Sequence, residues 1–236
     1  MKLLARADQN PKTAKSVKFG YLTFPLHLAP AALSGNEVCP GRSAGCTLAC
    51  LNTAGRGQFT ATQIGRVRKT RLFFSDRKLF MAMLVADVKA AVRQAARLGL
   101  QCAIRLNATS DIPWHRVPVQ GFANIMAMFP DVQFYDYTKV FKRLFEALPA
   151  NYHLTFSLSE TNAEQAAQAL ASGKVVAAVF RSRAMVESLL GQRYLGGTVE
   201  DGDLHDLRFL NGAGALVALY AKGQAKRDQS GFVLDL

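Results

Sequence analysis

The chain has 236 residues, half of them hydrophobic, and a formal net charge of +12 at neutral pH. This length suffices for one sizeable core, and no apolar run approaches the roughly 20 residues that a membrane helix needs. Residues 1–8 hold too short an apolar segment for a secretory signal, and the four cysteines do not form a disulfide framework. We therefore expect a soluble, cytoplasmic protein whose excess positive charge suits an anionic partner, nucleic acid ahead of a membrane surface.

The order of predicted elements indicates an α/β fold. Residues 1–16 are typical of a flexible basic leader, and a first strand is predicted over 19–24, ended by Pro25. Helices follow over 60–74 and from the N-cap Ser75 to Gly99. Strands at 101–106, 132–137, 153–158, 175–180 and 215–220 then alternate with helices at 120–129, 140–148, 162–171 and 184–190.

This alternation requires a mostly parallel sheet with right-handed crossovers. About six strands are too few for the eight of a closed barrel. We therefore expect one α/β domain over residues 1–236, an incomplete, open parallel TIM-like barrel with a cysteine loop after the first strand. A doubly wound sheet is the alternative.

Three of the four cysteines, Cys39, Cys46 and Cys50, lie in one loop rich in glycine and proline, with the spacing C-x6-C-x3-C. Thiolates gathered by a bent backbone are typical metal ligands. Zinc sites usually show two close pairs of ligands, and no second pair exists here, so the pattern favours a 4Fe–4S or 3Fe–4S cluster over zinc. The simpler alternative is three reduced, half-buried thiols. Cys102 falls within a predicted strand and is expected to be dispensable for metal binding.

The helix predicted over 60–74 carries a basic run with no acid. Its members are Arg66, Arg68, Lys69 and Arg71. Such a run indicates contacts with the phosphates of nucleic acid or another anionic ligand, or charge balance near an anionic cluster. A solvated helix face is the alternative.

Polar side chains follow the predicted strands, where the chemistry of parallel α/β proteins gathers. The residues selected as cofactor contacts are Asn107, Ser110, Asp111, Tyr137, Lys139 and Ser157. Because the cysteine loop also follows a strand, all these groups are expected on one face of the sheet. Each of them could instead cap a helix or begin a turn.

Several motifs together resemble the phage family called gene product 88. They are Cys39-Pro40-Gly41 with Cys46 and Cys50, Arg105-Leu106-Asn107 with Ser110-Asp111, Asp201-Gly202-Asp203 with Asp206-Leu207-Arg208-Phe209, and Ala221-Lys222-Gly223 with Asp228 and Gly231-Phe232-Val233. The resemblance covers most of the chain. It implies a phage or prophage origin, and therefore a location in the host cytoplasm. It also implies a cluster bound by the cysteines. The family has no settled activity.

At one remove the chain is similar to radical S-adenosylmethionine proteins, which place a three-cysteine loop after the first strand of a partial barrel. That similarity implies S-adenosylmethionine on an open iron, with Thr109-Ser110-Asp111 at the position of the motif that holds its amino group. The spacing departs from the usual x3 then x2, and Ala49 stands where an aromatic residue usually precedes the last cysteine.

We therefore expect an iron–sulfur protein of unknown reaction, resembling a radical enzyme and acting on or near nucleic acid. The alternative is a nucleic-acid-binding or host-takeover module whose metal site, iron–sulfur or zinc, is structural.

Overall fold

A computed structural model describes residues 1–7 and 14–236. These residues form two compact units. Unit 1 comprises Met1–Cys39, Phe59–Asp136 and Ala147–His153, and unit 2 comprises Pro40–Gln58, Tyr137–Glu146 and Leu154–Leu236. Across the described ranges, no helix has both the length and the apolar character needed to cross a membrane.

The strands are β1 (Tyr21–Pro25), β2 (Gln101–Arg105), β3 (Gln133–Thr138), β4 (Tyr152–Ser157), β5 (Val176–Phe180), β6 (Arg193–Tyr194), β7 (Gly197–Asp201), β8 (Ala215–Tyr220) and β9 (Val233–Leu234). The helices are α1 (Ala31–Ser34), α2 (Ala44–Leu48), α3 (Thr60–Ser75), α4 (Arg77–Arg97), α5 (Ile125–Met128), α6 (Ala163–Ala171) and α7 (Arg183–Leu189). Short 3-10 turns join several of these elements, among them Leu51–Thr53, Phe141–Phe145 and Gly223–Arg227.

In residues 1–7 and 14–236 the nine strands form one open, mostly parallel sheet in the order β1-β2-β3-β4-β5-β8-β7-β6, with β9 also paired to β5. In unit 1, β1 pairs with β2 from Tyr21↔Gln101 to Pro25↔Arg105. In unit 2, β5 pairs with β8 from Val176↔Leu216 to Phe180↔Tyr220, and β7 runs parallel to β8 while β6 is antiparallel. The α/β class and the predominantly parallel sheet are thus confirmed.

Two predicted helices are much shorter in the structure. The one expected over 120–129 is only Ile125–Met128, because Gln120 and Gly121 adopt positive φ angles and the helix begins after Asn124, whose side chain accepts a hydrogen bond from Ala127 N. The one expected over 140–148 is a 3-10 turn, Phe141–Phe145, which ends in extended backbone at Glu146. Strands β6, β7 and β9 were not predicted, since each is short or lies in a stretch rich in acids and turn residues.

Unit 1 is built around α4. Asp76 caps the helix by accepting a hydrogen bond from Leu79 N at 2.9 Å, and Gly99 follows its end with a φ of +65°. The predicted N-cap, Ser75, is instead the last residue of α3. A buried stripe at helical spacing consists of Phe80, Leu84, Val88, Ala91 and Ala95.

The amino-terminal residues of unit 1 are bound to α4. Leu3 and Leu4 are buried, and their backbone N–H groups donate to Asp87 Oδ2 at 2.6 and 3.0 Å. The flexible leader predicted for residues 1–16 includes residues 8–13, which lie outside the described residues. For residues 1–7 the prediction needs correction, because buried leucines and backbone hydrogen bonds hold this segment in place.

The core of unit 2 lies on its central strands. β5 and β8 are almost entirely apolar, and Val176, Ala178, Leu216, Val217 and Ala218 are fully buried. Near-continuous apolar strands are expected in a parallel sheet that is covered on both faces.

Candidate functional site

Cys46 lies on the short helix α2 of unit 2. Ser43 caps the helix by accepting a hydrogen bond from Cys46 N at 3.1 Å, and its backbone carbonyl accepts from Thr47 Oγ1 at 2.8 Å. The run Ser-Ala-Gly-Cys therefore forms a helix start with a standard N-cap residue. This cap fixes the backbone of Cys46.

Glu160, which follows β4, anchors this helix start. Its Oε1 accepts a hydrogen bond from Gly45 N at 2.7 Å, and its Oε2 accepts one from Ser43 Oγ at 2.8 Å. Burial raises the pKa of Glu160, but these hydrogen bonds, together with the charge of Lys139, outweigh burial and hold the pKa below its usual value. The carboxylate is therefore ionised and bound to the cysteine segment at neutral pH.

Two glycines let the cysteine segment approach its neighbours in unit 2 closely. A Cβ on Gly45 would clash with Ser230 Oγ and would lie 2.8 Å from Phe232 Cβ and 2.9 Å from Glu160 Cδ. A Cβ on Gly41 would lie 3.1 Å from Lys139 Cβ. Glycine is thus required at position 45 for packing and not for an unusual backbone angle.

Cys50 follows α2 and begins the next turn. Its Sγ accepts a hydrogen bond from Asn52 N at 3.5 Å, and its neighbour Ala49 packs in an apolar cluster with Ala221, Ala225 and Val233. This hydrogen bond joins the Cys50 sulfur to the turn that follows it.

Cys39 belongs to unit 1 and lies beside the loop that follows β2. Its Sγ is 4.0 Å from the carbonyl oxygen of Thr109, and the preceding Val38 accepts a hydrogen bond from Asp111 N at 2.7 Å. Within unit 1, Cys39 therefore lies beside the loop that carries Asp111.

The side chains of Asn107 and Ser110 form hydrogen bonds within that loop. Asn107 Oδ1 accepts hydrogen bonds from Ser110 Oγ, Ile112 N and Trp114 Nε1 at 2.8 to 3.0 Å, and its Nδ2 donates to Ile112 O. Both residues are buried, and the bonds fix the loop in one conformation. Asp111, also buried at 6 % exposure, is the acid that this loop positions.

Asp136 on β3 is a fully buried carboxyl of unit 1 that the sequence interpretation did not select. Its Oδ1 accepts a hydrogen bond from Asn107 N at 2.5 Å and its Oδ2 one from Tyr152 Oη at 3.0 Å. Burial raises the pKa of Asp136 to about 8, and these hydrogen bonds and the charge of Arg105 only partly oppose the shift. The available signal for this residue was an acid between two tyrosines within a predicted strand.

Lys139 and Ser157 meet at the strand ends of unit 2. Lys139 Nζ donates to Ser157 Oγ at 2.6 Å and lies 5.0 Å from the centre of the Phe232 ring. Tyr137 instead packs against an apolar cluster formed by Val175, Ala177 and Val217. Of the three residues predicted here, Lys139 and Ser157 are thus brought together and Tyr137 has a packing role.

All four cysteines are present as thiols. Their donor chemistry suits an iron–sulfur cluster. Within residues 1–7 and 14–236, however, no group of three or more His, Cys, Asp or Glu side chains is arranged to hold a metal ion.

The sequence profile of a family described as Gene product 88 matches residues 2–236. The chain belongs to the Gene product 88 family. No curated protein and no solved structure is significantly similar to it. The family resemblance inferred from the cysteine and strand-end motifs is thereby confirmed over nearly the whole chain.

The predicted basic run of this Gene product 88 member divides between two environments. Arg66 is 9 % exposed, and Lys69 Nζ donates to the carbonyl oxygen of Leu3 at 2.6 Å. Burial lowers the pKa of Lys69, with Arg66 adding to the shift and Asp87 opposing it. Arg68 and Arg71 are exposed. Only these two members of the run are directed to solvent, so the four do not form one basic face.

An ion pair in unit 2 between a buried carboxylate and a partly exposed lysine was also missed. Lys222 Nζ donates to Asp203 Oδ1 at 2.6 Å, and Asp203 Oδ2 accepts a hydrogen bond from Tyr220 N. These residues follow two neighbouring parallel strands, β7 and β8. Because β7 was not predicted, nothing in the predicted elements paired Asp203 with Lys222, although both stand within the family motifs.

Proposed function

We propose that this Gene product 88 member binds an iron–sulfur cluster, 4Fe–4S or 3Fe–4S, through Cys39, Cys46 and Cys50. The observation that carries the proposal is the anchoring of the cysteine segment by Glu160, which bonds to both Ser43 and Gly45. A carboxylate that bonds to the segment and a glycine that leaves no room for a Cβ are expected where a loop must present ligands, and reduced thiols without a ligand role would not need them.

When bound, the cluster would supply an iron with an open coordination position, since three cysteines complete only three corners of a cubane. The residues of the chain then have distinct roles. Ser43 and Glu160 hold the backbone at Cys46, Asn52 directs its N–H at the Cys50 sulfur, and Lys139 keeps a positive charge near Glu160. We also propose that the sheet is curved into a partial barrel, as it is in the radical enzymes that the chain resembles.

S-adenosylmethionine is the ligand proposed for the open iron. In that case Asp111, at the end of β2, would bind the ammonium group of the cofactor through a charge-assisted hydrogen bond. Asn107 and Ser110 would act indirectly, because their mutual hydrogen bond shapes the loop that carries Asp111.

Anaerobic reconstitution with ferrous iron and sulfide tests the cluster. We expect brown protein with about three or four irons per chain and the paramagnetic resonance spectrum of a reduced cluster. Cys46→Ser should abolish iron binding, whereas Cys102→Ser, the matched control, should leave it unchanged. Colourless protein with about one zinc per chain would replace the proposal with a structural zinc site.

The cofactor step is tested on the reconstituted protein. Titration with S-adenosylmethionine should change the resonance spectrum, and Asp111→Ala should weaken that response while iron content stays constant. A cluster indifferent to millimolar cofactor leaves an electron-transfer or structural role.

A second function, nucleic-acid binding by α3, is favoured by the exposure of Arg68 and Arg71 on a helix without a single acid. Arg68→Gln/Arg71→Gln should then weaken binding and reduce its salt dependence. Unchanged binding would leave both residues as part of a solvated face.

A further inference from the structure

A row of three basic side chains runs along the exposed face of α4. Lys89, Arg93 and Arg97 are all exposed, and each is four residues from the next. Residues spaced by four lie on one face of a helix, and at 1.5 Å per residue the row is about 12 Å long. The row lies entirely within unit 1 and did not contribute to the sequence interpretation.

The surface at this row has a depression suited to an anion. Ala90, Arg93, Gln94 and Arg97 line it, so two guanidinium groups and an amide surround the small side chain of Ala90. Planar guanidinium groups bind phosphate oxygens through paired, charge-assisted hydrogen bonds. The depression therefore offers donors without a competing carboxylate in its lining.

The acid on this helix is directed elsewhere. Asp87, the one acid in the sequence of α4, accepts hydrogen bonds from the N–H groups of Leu3 and Leu4. Its charge is thus used to hold the amino-terminal segment. Lys89, Arg93 and Arg97 keep their positive potential at the surface.

We propose that the row formed by Lys89, Arg93 and Arg97 binds the phosphate backbone of nucleic acid. A single phosphate would occupy only part of a 12 Å row, whereas a DNA duplex carries about one charge per 1.7 Å of its axis. The net charge of +12 strengthens the attraction at long range. The contacts involve phosphates alone, so binding is independent of base sequence and also independent of the proposed cluster.

An anionic membrane fits this surface less well. Membrane-bound helices insert large apolar side chains beside their basic residues. The other exposed residues from position 82 to 98 are Ala82, Ala86, Gln94, Ala96 and Leu98. Leu98 is the one large apolar side chain among them, which is little surface for insertion.

Fluorescence anisotropy with a 30-base-pair DNA duplex of mixed sequence, measured from 50 to 300 mM salt, tests the proposal. Arg93→Gln/Arg97→Gln is compared with Lys142→Gln/Lys226→Gln, which removes the same charge at exposed positions elsewhere. Circular dichroism and urea unfolding establish that both variants are folded.

We expect the α4 variant to bind about 10- to 100-fold more weakly at 0.1 M salt, and its plot of log affinity against log salt to be shallower by about two. Adding Lys89→Gln should weaken binding again, and the control should bind nearly as the wild type does. Equal losses in both variants, or no binding at 50 mM salt, overturn the proposal. So does a loss confined to Arg68→Gln/Arg71→Gln, or binding to phosphatidylserine vesicles without binding to DNA.

Discussion

Glu160 and Gly45 are joined by a 2.7 Å hydrogen bond from the glycine N–H to Oε1, at a separation that leaves no room for a Cβ on the glycine. The same carboxylate binds the hydroxyl of Ser43, whose Oγ accepts from Cys46 N. A residue after β4 therefore determines where a cysteine distant in the sequence is held. This coupling makes the position of the cysteine segment testable by mutations that leave every cysteine in place.

Gly45→Ala should destabilise the protein by about 1–3 kcal/mol, because the added methyl group overlaps Ser230, Phe232 and Glu160. Urea unfolding measures the loss, and iron binding after reconstitution should fall as well. The matched control is Gly65→Ala on α3, where an added Cβ meets no atom within 4 Å. That change should stabilise the helix by about 0.5–1 kcal/mol, and similar losses at both positions would contradict the close approach at Gly45.

Glu160→Gln should weaken the anchoring of the cysteine segment by about 1 kcal/mol, because neutral hydrogen bonds replace charge-assisted ones. The pKa of Glu160 is lowered in the folded protein, so its contribution to stability is present above the unfolded pKa of about 4.5 and is lost as pH falls through the folded value. Urea unfolding from pH 7 to pH 3 should therefore show the wild type converging on the variant at low pH. If the difference in unfolding free energy between wild type and variant stays constant over this range, the charge of Glu160 does not contribute and the effect comes from packing.

Asp136→Asn should remove a pH dependence of stability that is opposite in sign to the one expected for Glu160. The folded pKa of Asp136 is about 8, above its unfolded value of 3.8, so the stability from its neutral form is complete below pH 3.8 and is lost as pH rises through 8. Asparagine keeps the acceptor for Asn107 N and never ionises. Relative to the variant, the wild type should lose stability between pH 4 and pH 9 in urea unfolding, and parallel curves would show that Asp136 is ionised in the folded state.

The thiols should divide into two classes in the metal-free protein. Cys39, Cys46 and Cys50 are partly exposed, whereas Cys102 is 7 % exposed and burial raises its pKa to about 12. Because the thiolate is the reactive form, a thiol reagent at pH 8 should label the three loop cysteines first and Cys102 only after unfolding. Cys102→Ser should leave the rapid phase unchanged, and a fourth rapidly reacting thiol would contradict the burial of Cys102.

Local sequence determined much of this fold. The six principal parallel strands and the long helix α4 follow from apolar runs, apolar periodicity and the end signal Gly99, which act within a few residues of the chain. The N-cap of α4 is Asp76, one residue after the predicted Ser75. The family also follows from sequence, because its cysteine and strand-end motifs stand in order along the chain. The short strands β6 and β9 were not predicted, because they form by pairing with β7 and β5 and their own composition does not indicate a strand.

The tertiary structure alone decided which polar groups act together. Sequence placed Asn107 and Ser110 at a strand end, but only packing revealed that they bond to each other, and that Asp136 is buried beneath them. Likewise, the run from Arg66 to Arg71 is uniformly basic in sequence, yet Lys69 is directed to the backbone of Leu3. Sequence records charge and local preference, whereas desolvation and hydrogen bonding depend on distant neighbours, such as Glu160 for Gly45, that come into contact only when the chain folds.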